Sequence, residues 1–141
     1  MANATAAGNA ACGELHQGLA CQRLTLPCGD TVLVALQGAH VLSWVSQGRE
    51  RLYLSPNNLW DGKSAIRGGV PVCFPQFNQR GTLPKHGFAR NMAWSAGEAV
   101  ASGDAAHIDF TLSTHACRLP CASKSTHRSG FDCQCDPPKE A

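Results

Sequence analysis

The sequence predicts an antiparallel all-β domain, on three observations. Apolar residues recur with the two-residue period of strands, in short runs rich in Val, Leu and aromatics. Connections bearing Gly or Pro separate those runs, as in hairpins. No uninterrupted amphipathic stretch reaches helical length. The 141 residues suffice for one domain at most, since a typical domain takes roughly 100 to 200 residues and large sandwiches or barrels roughly 200 to 250.

Taken in order, residues 1–14 read as a flexible N-terminus, with neither the basic n-region nor the apolar h-region of an export signal. The domain is expected over residues 15–113. Its strands are expected at Gln22–Leu26 (QRLTL), Thr31–Leu36 (TVLVAL), His40–Val45 (HVLSWV), Arg51–Leu54 (RLYL), Val70–Phe74 (VPVCF) and His107–Leu112 (HIDFTL). Pro27-Cys28-Gly29-Asp30, Gln37-Gly38 and Gln47-Gly48-Arg49-Glu50 supply the turns between the first four. Ser55 to Ala65 and Asn78 to Lys85 are loops by composition. Beyond Leu112 the alternation fails, and residues 114–141 form an irregular Cys-rich tail without strand or helix period.

Charge and cysteine usage narrow the function classes. Twelve Lys and Arg against ten Asp and Glu give a net +2, too even to make nucleic acid or an anionic membrane the default partner. No window approaches the roughly 18 apolar residues of a membrane span. A soluble cytoplasmic protein is therefore expected, with reduced thiols as the default for its eight cysteines. Four of those cysteines fall in the last 25 residues, which makes the tail compositionally foreign.

The chemistry concentrates in residues 65–91, AIRGGVPVCFPQFNQRGTLPKHGFARN. Arg67 precedes Gly68-Gly69, and Arg90 ends HGFAR, so two guanidinium groups flank one loop. Arginine suits phosphate because its planar fork presents parallel N–H donors and its charge does not titrate away near neutral pH. The glycines allow a ligand close to the backbone. His86 offers two ring nitrogens for sugar hydroxyls or for proton movement. Phe74 and Phe77 alternate with Pro75 and Gln76, which gives either an aromatic platform with orienting hydrogen bonds or core packing. Phe74, Trp44 and Trp94 are assigned to the core, and Gln76 to the ligand.

The order and spacing of these residues resemble a known family. Ile66-Arg67-Gly68-Gly69-Val70-Pro71-Val72-Cys73-Phe74-Pro75-Gln76-Phe77, followed by Leu83-Pro84-Lys85-His86-Gly87-Phe88-Ala89-Arg90-Asn91 and Trp94, is similar to the glucose-6-phosphate 1-epimerases, or hexose-6-phosphate mutarotases, of the aldose 1-epimerase superfamily. The likeness extends over about residues 15 to 113. It implies the N-terminal part of a galactose-mutarotase-like antiparallel β-sandwich. It also implies interconversion of the α and β anomers of a hexose 6-phosphate without metal, nucleotide or other cofactor. Arg67 and Arg90 match positions that hold the phosphate, His86 and Gln76 match positions lining the sugar site, and Asp61 is a weaker match.

Mutarotation needs an acid at the ring oxygen and a base at the anomeric hydroxyl. In the family these are a later histidine and a late carboxylate in a chain roughly twice this length. His115, His127 and Glu140 lack that context, so no catalytic residue is assigned. This chain alone is expected to be incomplete and inactive, with its tail the product of a frameshift or truncated gene. Half a sandwich would leave strand edges and an apolar face uncovered. Two alternatives remain. One is a non-catalytic sugar-phosphate-binding module; the other is a β domain whose Cys117, Cys121, His127, Cys133 and Cys135 bind zinc. Their C-x3-C-x5-H-x5-C-x-C spacing lacks the paired knuckles of common zinc modules, and no metal ligand is assigned.

Overall fold

The structure, a computed structural model, describes residues 11–113 and the backbone of residues 126–134. The first sheet is an antiparallel meander of five strands: β1 (Ala11–His16), β2 (Leu19–Thr25), β3 (Thr31–Ala35), β4 (His40–Ser46) and β5 (Arg49–Glu50). The β1–β2 and β4–β5 hairpins turn at Gln17-Gly18 and Gln47-Gly48, where both residues have positive φ. That backbone twist matches the twist of the flanking strands.

The second sheet is built around β8 (Ala105–Ser113). Two short strands, β6 (Ser95–Ala96) and β7 (Val100–Ser102), pair with β8, and β9 (Thr126–Gln134) runs antiparallel to its whole length. Among the described residues the helical content is one 3-10 turn, Ala89–Asn91, and no helix is long and apolar enough to cross a membrane.

Alternation in β8 makes the sandwich. Ala106, Ile108, Phe110 and Leu112 point inward and meet Leu24, Val34 and Val41 of the first sheet and Leu26 just beyond β2, with Trp94 and Ala89 closing the cluster. Cys21, Leu33, Ala35 and Leu42 on the meander's other face are covered by Ile66, Leu54 and Trp60 of the long loop. The first sheet is thus buried on both faces, which explains why its strands alternate poorly while β8 alternates well.

Several expected elements differ from those observed. Arg51–Leu54 is not a strand: the Glu50 carboxylate accepts the backbone N–H groups of Trp44 and Leu52, each at 2.9 Å, and bonds the Ser43 hydroxyl. A side chain that takes these amides ends the ladder at Glu50. Val70–Phe74 makes only single bridges, Val70 with Val41 and Phe74 with Gly87, because Pro71 and Pro75 have no N–H to give a continuous ladder. β1 starts at Ala11, inside the expected flexible terminus, and β9 lies in the tail expected to be irregular. In both cases pairing to a well-patterned neighbour supplies order that the segment's own pattern does not signal.

Trp44, assigned to the core, is 44% exposed. A bulge between Leu33 and Val34 shifts the β3–β4 register, so Trp44 sits opposite Val32 next to the two-residue β5, where little covers it. Trp94 is buried as expected, and Phe74 is half-buried against the core. Cys12, Cys21 and Cys73 are free thiols. Cys28 departs from the expected reduced state and is disulfide-bonded.

Candidate functional site

Arg67 stands on a turn that only glycine can complete. Gly68 and Gly69 both have positive φ, and a Cβ on either would collide with backbone, that of Tyr53 at Gly68 and the Val41 carbonyl at Gly69. The turn is tied on both sides. Gly69 N–H donates to the Tyr53 carbonyl at 2.7 Å, and Val41 and Val70 exchange bonds of 3.1 and 2.9 Å. Asn58 closes it from the loop, accepting the Arg67 N–H at 2.8 Å and donating to the Arg67 carbonyl at 3.1 Å. The guanidinium itself is exposed and has no partner among the described residues.

Arg90 stands on the 3-10 turn, which is anchored by Trp94 Nε1–H donating to the Ala89 carbonyl at 2.9 Å. Its Nη2 donates to the Lys85 carbonyl at 3.1 Å. Its Nε is buried without a hydrogen-bond partner. An unmade buried donor costs about 1–3 kcal/mol.

His86 is half-buried, with φ of 68°. Its Nδ1 accepts the Asn78 N–H at 3.0 Å, so the neutral ring carries its proton on Nε2. Partial burial, reinforced by the positive charges of Arg90 and Lys85, lowers its pKa. Phe77 lies against the ring at a centroid distance of 5.1 Å and is largely exposed.

The other two expected site residues are occupied within their own loops. Gln76 donates Nε2–H to the Leu83 and Asn78 carbonyls at 3.0 and 3.1 Å and accepts the Leu83 N–H at 3.1 Å. Both ends of its amide therefore staple the 78–84 loop. Asp61 accepts the N–H groups of Lys63 and Ser64 and the Ser64 hydroxyl at 2.6–2.8 Å. These bonds pull its pKa down to about 2.

Sequence reasoning missed the residues that join these segments. His40 is 1% exposed, and its Nε2 is 2.6 Å from the Gly68 carbonyl. Burial lowers its pKa, the Gly68 bond opposes that, and the charge of Arg90 adds to the lowering. Gln37 is also buried and donates to the Ser64 carbonyl at 2.8 Å. A histidine and a glutamine among the apolar residues of TVLVALQGAHVL were the available signal, since buried polar groups need partners.

Known proteins share the family and the fold. The Aldose 1-epimerase family model matches residues 21–117. The chain belongs to the aldose 1-epimerase family. Two bacterial proteins named "Putative glucose-6-phosphate 1-epimerase" are similar to it. That of Escherichia coli K12 is 49% identical over 82 residues, 55% of this chain and 28% of the relative. That of Salmonella typhimurium is 54% identical over 65 residues, 43% of this chain and 22% of the relative.

Among solved structures, that titled "a putative mutarotase (YeaD) from Salmonella typhimurium" superposes with a TM-score of 0.78 at 32% identity. It covers 89% of this chain and 43% of that one. The structure titled "Crystal Structure Analysis of HI1317" has the same fold, with a TM-score of 0.75 at 24% identity over 92% of this aldose 1-epimerase family chain and 46% of that one. The chain thus spans less than half the length of these relatives.

Of the zinc candidates, Cys117, Cys121 and Cys135 lie outside the described residues, and only the backbone of His127 and Cys133 is described. His115 and Glu140 also lie outside them.

Proposed function

We propose that this chain grips a hexose 6-phosphate through Arg67 and Arg90, as part of the chemistry of a glucose-6-phosphate 1-epimerase, and does not interconvert the anomers on its own. One observation carries the reading. The two arginines with unused donors, one exposed and one with a buried Nε, stand on segments that both bond to residues 36–41, the Arg67 turn at His40 and the Arg90 segment at Gly38. Guanidinium forks of this kind match the oxygens of a phosphate. His86 fits a sugar hydroxyl as an Nε2–H donor, with Phe77 beside it as an apolar face. Gln76 and Asp61 shape the loops around the ligand rather than bonding it.

The absence of turnover follows from the proton balance. Opening the ring requires a donor at the ring oxygen and an acceptor at the anomeric hydroxyl, on opposite sides of the sugar. Among the site residues described here, His86 has its basic nitrogen occupied by Asn78, and Asp61 has its carboxylate occupied by Lys63 and Ser64. Neither is free to act as the base. Sugar phosphates are intracellular metabolites in chemical character, being charged and poorly membrane-permeant, so a cytoplasmic location belongs to the same reading.

Titration of the full chain with glucose 6-phosphate and with glucose, alongside anomer exchange followed by NMR, tests it. Glucose 6-phosphate is expected to bind more tightly than glucose, with exchange at the buffer rate. Exchange well above buffer would overturn the inactive reading, and equal affinity for the two sugars would overturn the phosphate grip.

A further inference from the structure

We infer that His40 is a positioning residue that fixes the Arg67 turn through the Gly68 carbonyl, and that the β3–β4 hairpin tip is the part of the fold that aligns the two arginines. The functional side of this inference rests on the phosphate-binding reading of Arg67 and Arg90.

A wholly buried imidazole on a strand start is costly unless it is bonded. His40 has a strong bond, 2.6 Å to the Gly68 carbonyl, so its Nε2 carries the proton and donates it. The acceptor lies between the two residues whose conformation places Arg67. Gly69 packs directly on the ring, since a Cβ there would stand 3.0 Å from Nε2. The ring therefore serves as both hydrogen-bond donor and floor for the turn.

The same hairpin tip reaches the second arginine. Gly38 N–H donates to the Met92 carbonyl at 2.7 Å, and Trp94 N–H donates to the Leu36 carbonyl at 2.8 Å. Gly38 is pressed so closely on the Arg90 backbone that a Cβ would collide with its carbonyl. Gln37 ties in the Asp61–Ser64 turn through the Ser64 carbonyl. Residues 36–41 thus bond the segments carrying Asp61, Arg67 and Arg90, all of which lie well downstream of the hairpin in sequence.

The test uses the full chain with His40→Leu, His40→Asn and His40→Gln. Glutamine can place an amide N–H near the position of imidazole Nε2, whereas asparagine is too short and leucine has no donor. Backbone hydrogen exchange at Gly69 and Ser55 reports the turn, because these N–H groups donate to the Tyr53 and Arg67 carbonyls.

Exchange at both sites is expected to rise at least about tenfold in His40→Leu and His40→Asn, relative to Val34 and Phe110 in the core, and to return to near wild type in His40→Gln. Affinity for glucose 6-phosphate should fall about tenfold in His40→Asn, with no further fall when Arg67→Ala is already present. Unchanged exchange at Gly69 and Ser55 in folded His40→Asn overturns the inference, as does an equal loss of affinity with and without Arg67. Should His40→Leu fail to fold, His40→Asn and His40→Gln give the same comparison. Exchange decides the role of His40 even if the wild-type chain does not bind glucose 6-phosphate, an outcome that would sink the binding reading alone.

Discussion

Arg67 and His40 divide one task between an exposed side chain and a buried one. Arg67 presents its charge to solvent on a turn that its own side chain does not stabilise, while His40 contributes the bond that holds the turn. The histidine also makes stability depend on pH in a definite direction. Its folded pKa lies below the ordinary 6.5. As pH falls through that value the unfolded chain takes up a proton that the folded chain refuses, so stability declines until the folded pKa is reached. His86, also lowered, adds to the same slope. Carboxylates such as Glu14 and Asp61, whose pKa values are depressed, act only at lower pH. Urea midpoints measured between about pH 7.5 and pH 5 should therefore fall for the wild type and fall less steeply for His40→Gln. Parallel curves for the two proteins would contradict this account of His40.

At the scale of elements, β8 carries the core and the β3–β4 tip carries the site. Phe110 is fully buried at the centre of β8, and Phe110→Ala should cost about 3–5 kcal/mol in denaturant unfolding; a loss under about 1 kcal/mol would mean that the sheets do not pack there. β8 was legible in the sequence because one face is apolar and the other polar, which is the pattern that alternation detects. β3 and β4 were legible as apolar runs. Arg51–Leu54 and the segment after Val70 were misread, since Glu50 side-chain bonds and two prolines override an apolar composition. The Gly68-Gly69 turn beside Arg67 was legible because a glycine's conformational role is local. Gln76 and Asp61 bond groups within eight residues of themselves in their own loops, which residue type alone does not reveal. The omission of His40 and Gln37 has another cause: their carbonyl partners lie 28 and 27 residues away, and periodicity does not encode such contacts.

For the whole molecule, two sheets enclose one apolar cluster, while the long loop folds back over the meander's outer face and delivers Arg67 to the hairpin tip. This arrangement makes the proposed phosphate grip depend on the packed sandwich rather than on the RGG sequence alone. The central claim is that Arg67 and Arg90 act on one phosphate. A double-mutant cycle with Arg67→Ala, Arg90→Ala and the double variant, read as affinity for glucose 6-phosphate and for glucose, tests it most directly. Each single substitution should weaken glucose 6-phosphate binding about tenfold or more, the double variant should lose less than the sum of the two free-energy losses, and glucose binding should not change. Additive losses, or equal losses for glucose and its 6-phosphate, would contradict the claim.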